Sequence, residues 1–251
     1  MFGSLQTLRS TPIPPRESAR AAIKGYRDWP LRPCGERLTP ASTYGIAGEN
    51  YYAQTRNPPY WRRVEGAIDA LLVREGVGER LSKVNARLAE AGVRLFLHDA
   101  WRPRVVQAYF HDVWMPAEVR RRHPDWDDAS VMTEVERYWA APSQSAERPA
   151  PHATGGAVDI TLVWDDGRPL WMGSLFDDAT SLAHTDRFEA ETTERSFSDE
   201  EARNNRRLLY WAMAEQGFAS LPNEWWHFSY GDQLWAKMTG AEFAIYGEAT
   251  P

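Results

Sequence analysis

Cysteine is almost absent from this chain: Cys34 stands alone among 251 residues. That excludes an internal disulfide framework and a thiolate metal cluster, and it fits a reducing compartment. No stretch approaches the ~20 apolar residues of a membrane span, and no short apolar core of the secretory kind stands near the start. Both absences predict a cytoplasmic protein with no membrane partner. Positive charge is in deficit, with 29 Lys and Arg against 35 Asp and Glu and a formal net charge of −6. Nucleic acid is therefore not expected as a partner either. Internal repeats, heptads and wall-binding repeats are missing too, and the oligomeric state stays open.

What is present suits one large domain with a proper core. The 12 tryptophans suit an aromatic-lined cleft as well as a core. Prolines 12, 14, 15, 30, 33 and 40, with scattered arginines, mark residues 1–43 as an arm packed on the domain with a loosely held tip. The domain proper is placed at 44–251, with a helical insertion at about 115–150. The aromatic segment Tyr44 to Tyr60 either lines a cleft or covers the core. Apolar spacing predicts helices over 61–73 and 79–92, then a strand over 93–97. Pro103 opens a further helix to about Val113, on which His111 and Asp112 are read as solvated residues. Strand 157–164 turns at 165–168 and returns. The polar stretch 180–193 is expected to be a flexible loop, with His184 a bystander. Ser198-Asp199-Glu200-Glu201 reads as a capping box opening the longest helix, and 218–221 pairs antiparallel with 225–230. This mixed order gives α+β: one domain, a mixed or antiparallel sheet flanked by helices.

Three stretches carry chemistry. In Pro151 to Val163 a glycine-bearing loop enters an apolar, β-branched strand, with His152 in the loop and Asp159 where the strand begins. A buried aspartate there needs strong partners, and a divalent metal shared with His152 would supply one. A turn-capping aspartate and an ordinary loop histidine are the plain alternative. In Glu224-Trp225-Trp226-His227, His227 would complete a His/Asp/His set and Glu224 would be a base for zinc-bound water. Core aromatics beside a satisfied histidine explain the same segment alone. In Asp99-Ala100-Trp101-Arg102-Pro103, an arginine fixed at a strand end can stabilise a developing oxyanion, or form a structural salt bridge.

Taken in this order, and with Met172-Gly173-Ser174-Leu175-Phe176-Asp177 and Asn205-Arg206-Arg207-Leu208, the stretches closely resemble the D-alanyl-D-alanine dipeptidases, the VanX-type zinc metallopeptidases. The resemblance covers about the C-terminal two thirds. It implies a fold of the hedgehog/D,D-peptidase kind and one Zn2+ per chain on His152, Asp159 and His227. It further implies Glu224 as general base and acid, Arg102 as oxyanion stabiliser and Asp177 as reader of the ammonium of a small dipeptide such as D-Ala-D-Ala. Two departures touch the pocket. Ala150-Pro151 precedes His152 where family members often have an upstream serine, and Ala100-Trp101 replaces Gly-Tyr before the arginine. A D,D-carboxypeptidase or wall-lytic peptidase is the neighbouring alternative, and a catalytically silent zinc-bearing binding domain is one from another class.

Overall fold

The computed structural model describes residues 4–143, 145–190 and 195–251. Along them run α1 (Leu5–Ser10), α2 (Arg16–Ile23), β1 (Leu38–Pro40), β2 (Ala47–Gly48), β3 (Leu72–Arg74), α3 (Glu75–Ala89) and β4 (Val93–Asp99). There follow α4 (Arg104–Tyr109), α5 (Met115–Arg122), α6 (Asp128–Tyr138), β5 (Ala157–Trp164), α7 (Phe197–Ala214), β6 (Ala219–Ser220), β7 (His227–Ser229) and α8 (Gln233–Thr239). Five strands form one mixed sheet in the order β2-β4-β5-β7-β6, parallel between β2 and β4 and antiparallel elsewhere. β1 and β3 make a separate two-stranded ribbon. The α+β reading holds.

β5 is the central strand because every residue from Ala157 to Val163 is buried; a strand covered on both faces has no polar side to alternate with. Helix α3 covers the sheet with Val77, Leu81, Val84 and Leu88, all fully buried, at the spacing of one helical face. Helix α7 adds Leu208, Leu209, Ala212 and Met213, as their spacing predicts. The register then fixes what matters for function. Asp99, Asp159 and His227 are paired in turn across β4, β5 and β7, with an irregularity in β4 between Leu97 and Asp99. A single row of the sheet therefore gathers three site residues far apart in sequence.

Several sequence expectations are corrected. Residues 61–71 are not helical. Gly66 has φ +81° and Trp61 has φ +52°, which end any helical run, and residues 72–74 pair with β1 instead. The buried Asn57 side chain fixes that loop, bonding the carbonyls of Tyr51 and Arg62 at 2.9 Å each. The cap of α7 is Ser196, not Ser198; its Oγ accepts from the Asp199 amide at 3.1 Å. The helix opened by Pro103 continues through a π turn (Phe110–Trp114) into α5. His111 is buried within that turn, its Nδ1 2.6 Å from Asp112, because the wider turn rotates it inward.

The arm is held along its length. Leu8 joins the core, and the Trp211 indole donates to the Thr11 carbonyl at 2.9 Å. Further along, Arg32 N donates to Ala244 O at 2.9 Å and Cys34 N to Ile245 O at 2.8 Å. Residues 1–3 at the start of the arm, residues 191–193 at the end of the expected flexible loop, and residue 194 lie outside the described residues. Among the described residues no helix is long and apolar enough to cross a membrane.

Candidate active site

His152 sits in a short 3-10 turn (Pro151–Thr154) that Gly155 ends with φ +71°. Its left-handed φ calls for glycine, while an added Cβ would clash only with the movable end of the Leu38 side chain. The turn delivers His152 Nδ1 to the Ala100 carbonyl at 2.8 Å. A carbonyl only accepts, so Nδ1 carries the proton and Nε2 presents its lone pair inward. That Nε2 lies 3.1 Å from His227 Nδ1 and 3.4 Å from Asp159 Oδ2, and His227 Nδ1 lies 3.1 Å from Asp159 Oδ1. All three residues are buried. Tetrahedral zinc with bonds of about 2.0–2.2 Å sets its ligand atoms roughly 3.3–3.5 Å apart. The three separations, 3.1–3.4 Å with both Asp159 oxygens used, are close to that, and this set is the one group of three metal-ligating side chains found among the described residues.

The charge balance asks for a cation as well. Asp99, Asp159 and Glu224 are buried and Asp177 is half-buried around one guanidinium, Arg102. Burial opposes ionisation of Asp159, but His152 and His227 outweigh it and hold the carboxyl well below the usual range. Burial pushes Glu224 well above the carboxylate range, and Asp159 and Asp177 add to the shift. Asp177 is pushed up to about 7, by burial first and Asp159 second, against Arg102, Tyr60 and Tyr52. A bound dication would neutralise the surplus and let these acids ionise. Donor set, spacing and charge all fit a divalent metal.

Around the triangle, Glu224 Oε2 stands 3.9 Å from His227 Nδ1, carried by the tight connection into β7, where the His227 amide bonds the Glu224 carbonyl at 3.2 Å. Arg102 is held on four of its five N–H groups: Nε to Asp99 at 2.7 Å, Nη1 to Gln107 at 2.8 Å, and Nη2 to Tyr52 and Asp159 at 3.2 Å each. The rings of Tyr52 and Trp139 pack against it, each with its centroid 4.9 Å away. Asp177 has φ +58°, a left-handed conformation that aspartate tolerates better than most residues but still at a cost. Its Oδ2 accepts from the hydroxyls of Tyr52 and Tyr60 at 2.9 Å each. The loop carrying it is pinned from below by the buried Arg206, which donates to the carbonyls of Met172, Leu182 and His184 at 2.6–2.7 Å. Burial lowers that arginine to about 9.

These groups open on a cavity of about 340 Å3 lined by Arg102, His152, Asp159, Asp177, Glu224 and His227. Its size is near the lower end for ligand pockets, about 300–1,000 Å3, as a small substrate would need. All six residues singled out in the sequence thus face one cavity. Sequence reasoning missed Asp99, Gln107, Tyr52 and Tyr60. Asp99 was within reach of it, since Asp99 and Arg102 share one short turn. The tyrosines fall in the aromatic segment 44–60, which carries no ligand-type spacing, and here they back the Asp177 carboxylate. His184, taken as a bystander, meets Arg16 at 3.0 Å and is not among the residues lining the cavity.

A buried His/Asp/His triangle flanked by a carboxyl group and a fixed guanidinium, opening on a small cavity, defines a metal-dependent hydrolase. Against known families, residues 45–244 match the D-ala-D-ala dipeptidase model. The chain belongs to this family and is a metallopeptidase of the D,D-peptidase type. It is 34% identical to a D-alanyl-D-alanine dipeptidase of Synechocystis over 230 residues, 85% of this chain and 90% of the relative. A D-alanyl-D-alanine dipeptidase of Enterococcus faecium is 28% identical over 62% of this chain and 72% of its own length. A solved structure of the vancomycin resistance D,D-pentapeptidase VanY in complex with Zn(II) aligns at 16% identity and a TM-score of 0.42, over 66% of this chain and 76% of that one.

Proposed function

We propose that this chain hydrolyses a free D,D-dipeptide, D-Ala-D-Ala foremost, with one zinc ion held by His152, Asp159 and His227. The observation that carries the reading is the zinc-sized triangle of inward-facing donor atoms, with Glu224 3.9 Å from one of them. When bound, zinc supplies Lewis acidity and lowers the pKa of a coordinated water toward 7. Glu224 takes the proton from the attacking water and passes it to the leaving amine. Arg102, already oriented by Asp99 and Gln107, has one N–H left for the oxygen that becomes negative only near the transition state. Asp177 receives the substrate ammonium on the carboxylate that Tyr52 and Tyr60 hold in place. Cytoplasmic action is part of the proposal and rests on the lone, exposed Cys34. The domain division at about residue 44 and the reading of 115–150 as an insertion are likewise proposals.

Substrate length tests this reading. An ammonium on Asp177 makes a charge-assisted contact worth roughly 1.5–3 kcal/mol. N-acetyl-D-Ala-D-Ala should therefore be cleaved with a kcat/KM at least about tenfold below that of the free dipeptide. Asp177→Asn should depress the free dipeptide and leave the acetylated one little changed. Equal cleavage of both by the unmodified enzyme would favour the carboxypeptidase reading instead.

A further inference from the structure

The cavity that holds the site is closed on one side by residues outside the matched family segment: Ile23, Tyr26 and Arg27 of the N-terminal arm line it together with Arg102, Asp177 and Glu224. Three arginines line the cavity, Arg27, Arg102 and Arg137. Arg102 is paired with Asp99 and Asp159, and Arg137 with Glu134 at 2.7 Å. Among the described residues, Arg27 makes no ion pair. Its Nη2 donates to the Ala141 carbonyl at 2.6 Å and its Nε to the Tyr26 hydroxyl at 3.3 Å. Those bonds fix the plane of the guanidinium and leave three of its five N–H groups uncommitted. The backbone beneath is fixed too. Gly25 turns the chain with φ +73°, and Gln233 Nε2 donates to the carbonyls of Arg27 and Trp29 at 3.1 and 2.7 Å. Burial raises the Tyr26 phenol, against Arg27, and the charges of Asp232 and Glu224 raise it further, so this pair lies within the field of the reacting groups.

A free dipeptide is a zwitterion, and both of its ends must be desolvated to enter so small a cavity. If Asp177 takes the ammonium, the carboxylate needs a cation of its own. Arg102 cannot serve, because its remaining N–H is the one that faces charge developing at the scissile carbonyl. A planar guanidinium with free N–H groups and no carboxylate partner is the group that matches a carboxylate. We propose that Arg27, oriented by Tyr26 and Ala141, binds the C-terminal carboxylate of the dipeptide, so that the N-terminal arm completes the specificity site. This inference rests on the dipeptidase reading above for its substrate.

The test compares free D-Ala-D-Ala with its C-terminal amide in the zinc-loaded enzyme and in Arg27→Gln. The unmodified enzyme should prefer the free acid by about 10–100-fold in kcat/KM, the range of a charge-assisted bond. Arg27→Gln should raise KM for the acid by a similar factor with kcat little changed, leave the amide alone and so close the gap. Arg27→Lys should restore part of the preference. Calorimetric titration of D-Ala-D-Ala into Glu224→Gln protein, with and without Arg27→Gln, reads the same loss as a change in Kd without turnover. Equal handling of acid and amide by the unmodified enzyme, an equal loss of both in Arg27→Gln, or an unchanged Kd would each overturn the assignment to Arg27. If no dipeptide is hydrolysed, the dipeptidase reading fails, and the titration still decides whether Arg27 binds the carboxylate.

Discussion

Glu224→Gln should keep its zinc and its fold while turnover of D-Ala-D-Ala falls by at least ~10²-fold, the scale of general-base catalysis. The glutamine is nearly isosteric, so the tight connection between Leu221 and His227 survives; only the proton acceptor is lost. The position suits the test because Glu224 lies beside the ligand triangle and is not a corner of it, with its Oε2 3.9 Å from His227 Nδ1. Burial already holds it far above the ordinary carboxylate range, where a neutral amide side chain costs little in stability. Turnover and metal content should therefore separate cleanly. A zinc-loaded Glu224→Gln enzyme of near-normal activity would remove Glu224 from the mechanism.

The second large effect concerns the metal itself. Purified protein should contain about one zinc per chain, and His152→Ala or His227→Ala should lose it, measured by elemental analysis after dialysis. Removing either histidine takes one corner from a set of only three protein ligands, and such a site does not hold zinc firmly on two. Activity should disappear with the metal. The loss should extend beyond chemistry, because Asp159 is buried and is held ionised by those same histidines. Each variant leaves the carboxylate one histidine and its 3.2 Å bond to Arg102, so a buried charge network is weakened together with the metal site. Full zinc retention in both variants would sink the ligand assignment.

Much of this site is legible in the sequence because its key residues sit in segments with strong local signals. Asp159 stands in an unbroken apolar strand, where a carboxylate has no ordinary reason to be. His152 precedes a glycine pair that forces a turn, and Glu224 and His227 share one short run. What links them is the pairing of Asp99, Asp159 and His227 across β4, β5 and β7, which local periodicity cannot reveal. The expected helix over 61–73 shows the converse. Val64, Ile68, Leu71 and Leu72 have helical spacing, but the side-chain bonds of Asn57 and the positive φ of Trp61 and Gly66 bind that stretch as a loop. Leu72 then belongs to a strand. Tyr52, Tyr60 and Arg27 were beyond sequence reasoning for a related reason: each serves the site from a segment whose local pattern says only aromatic, or proline-rich, and their function comes from what the fold brings against them.

The most direct measurement of the central claim is the hydrolysis of free D-Ala-D-Ala by the purified protein before chelation, after chelation, and after zinc is restored. Release of D-alanine should stop with the chelator and return with about one equivalent of zinc, alongside far weaker action on L-Ala-L-Ala and on N-acetyl-D-Ala-D-Ala. Hydrolysis that persists in metal-free protein, or zinc-restored protein that leaves D-Ala-D-Ala intact, would contradict that claim.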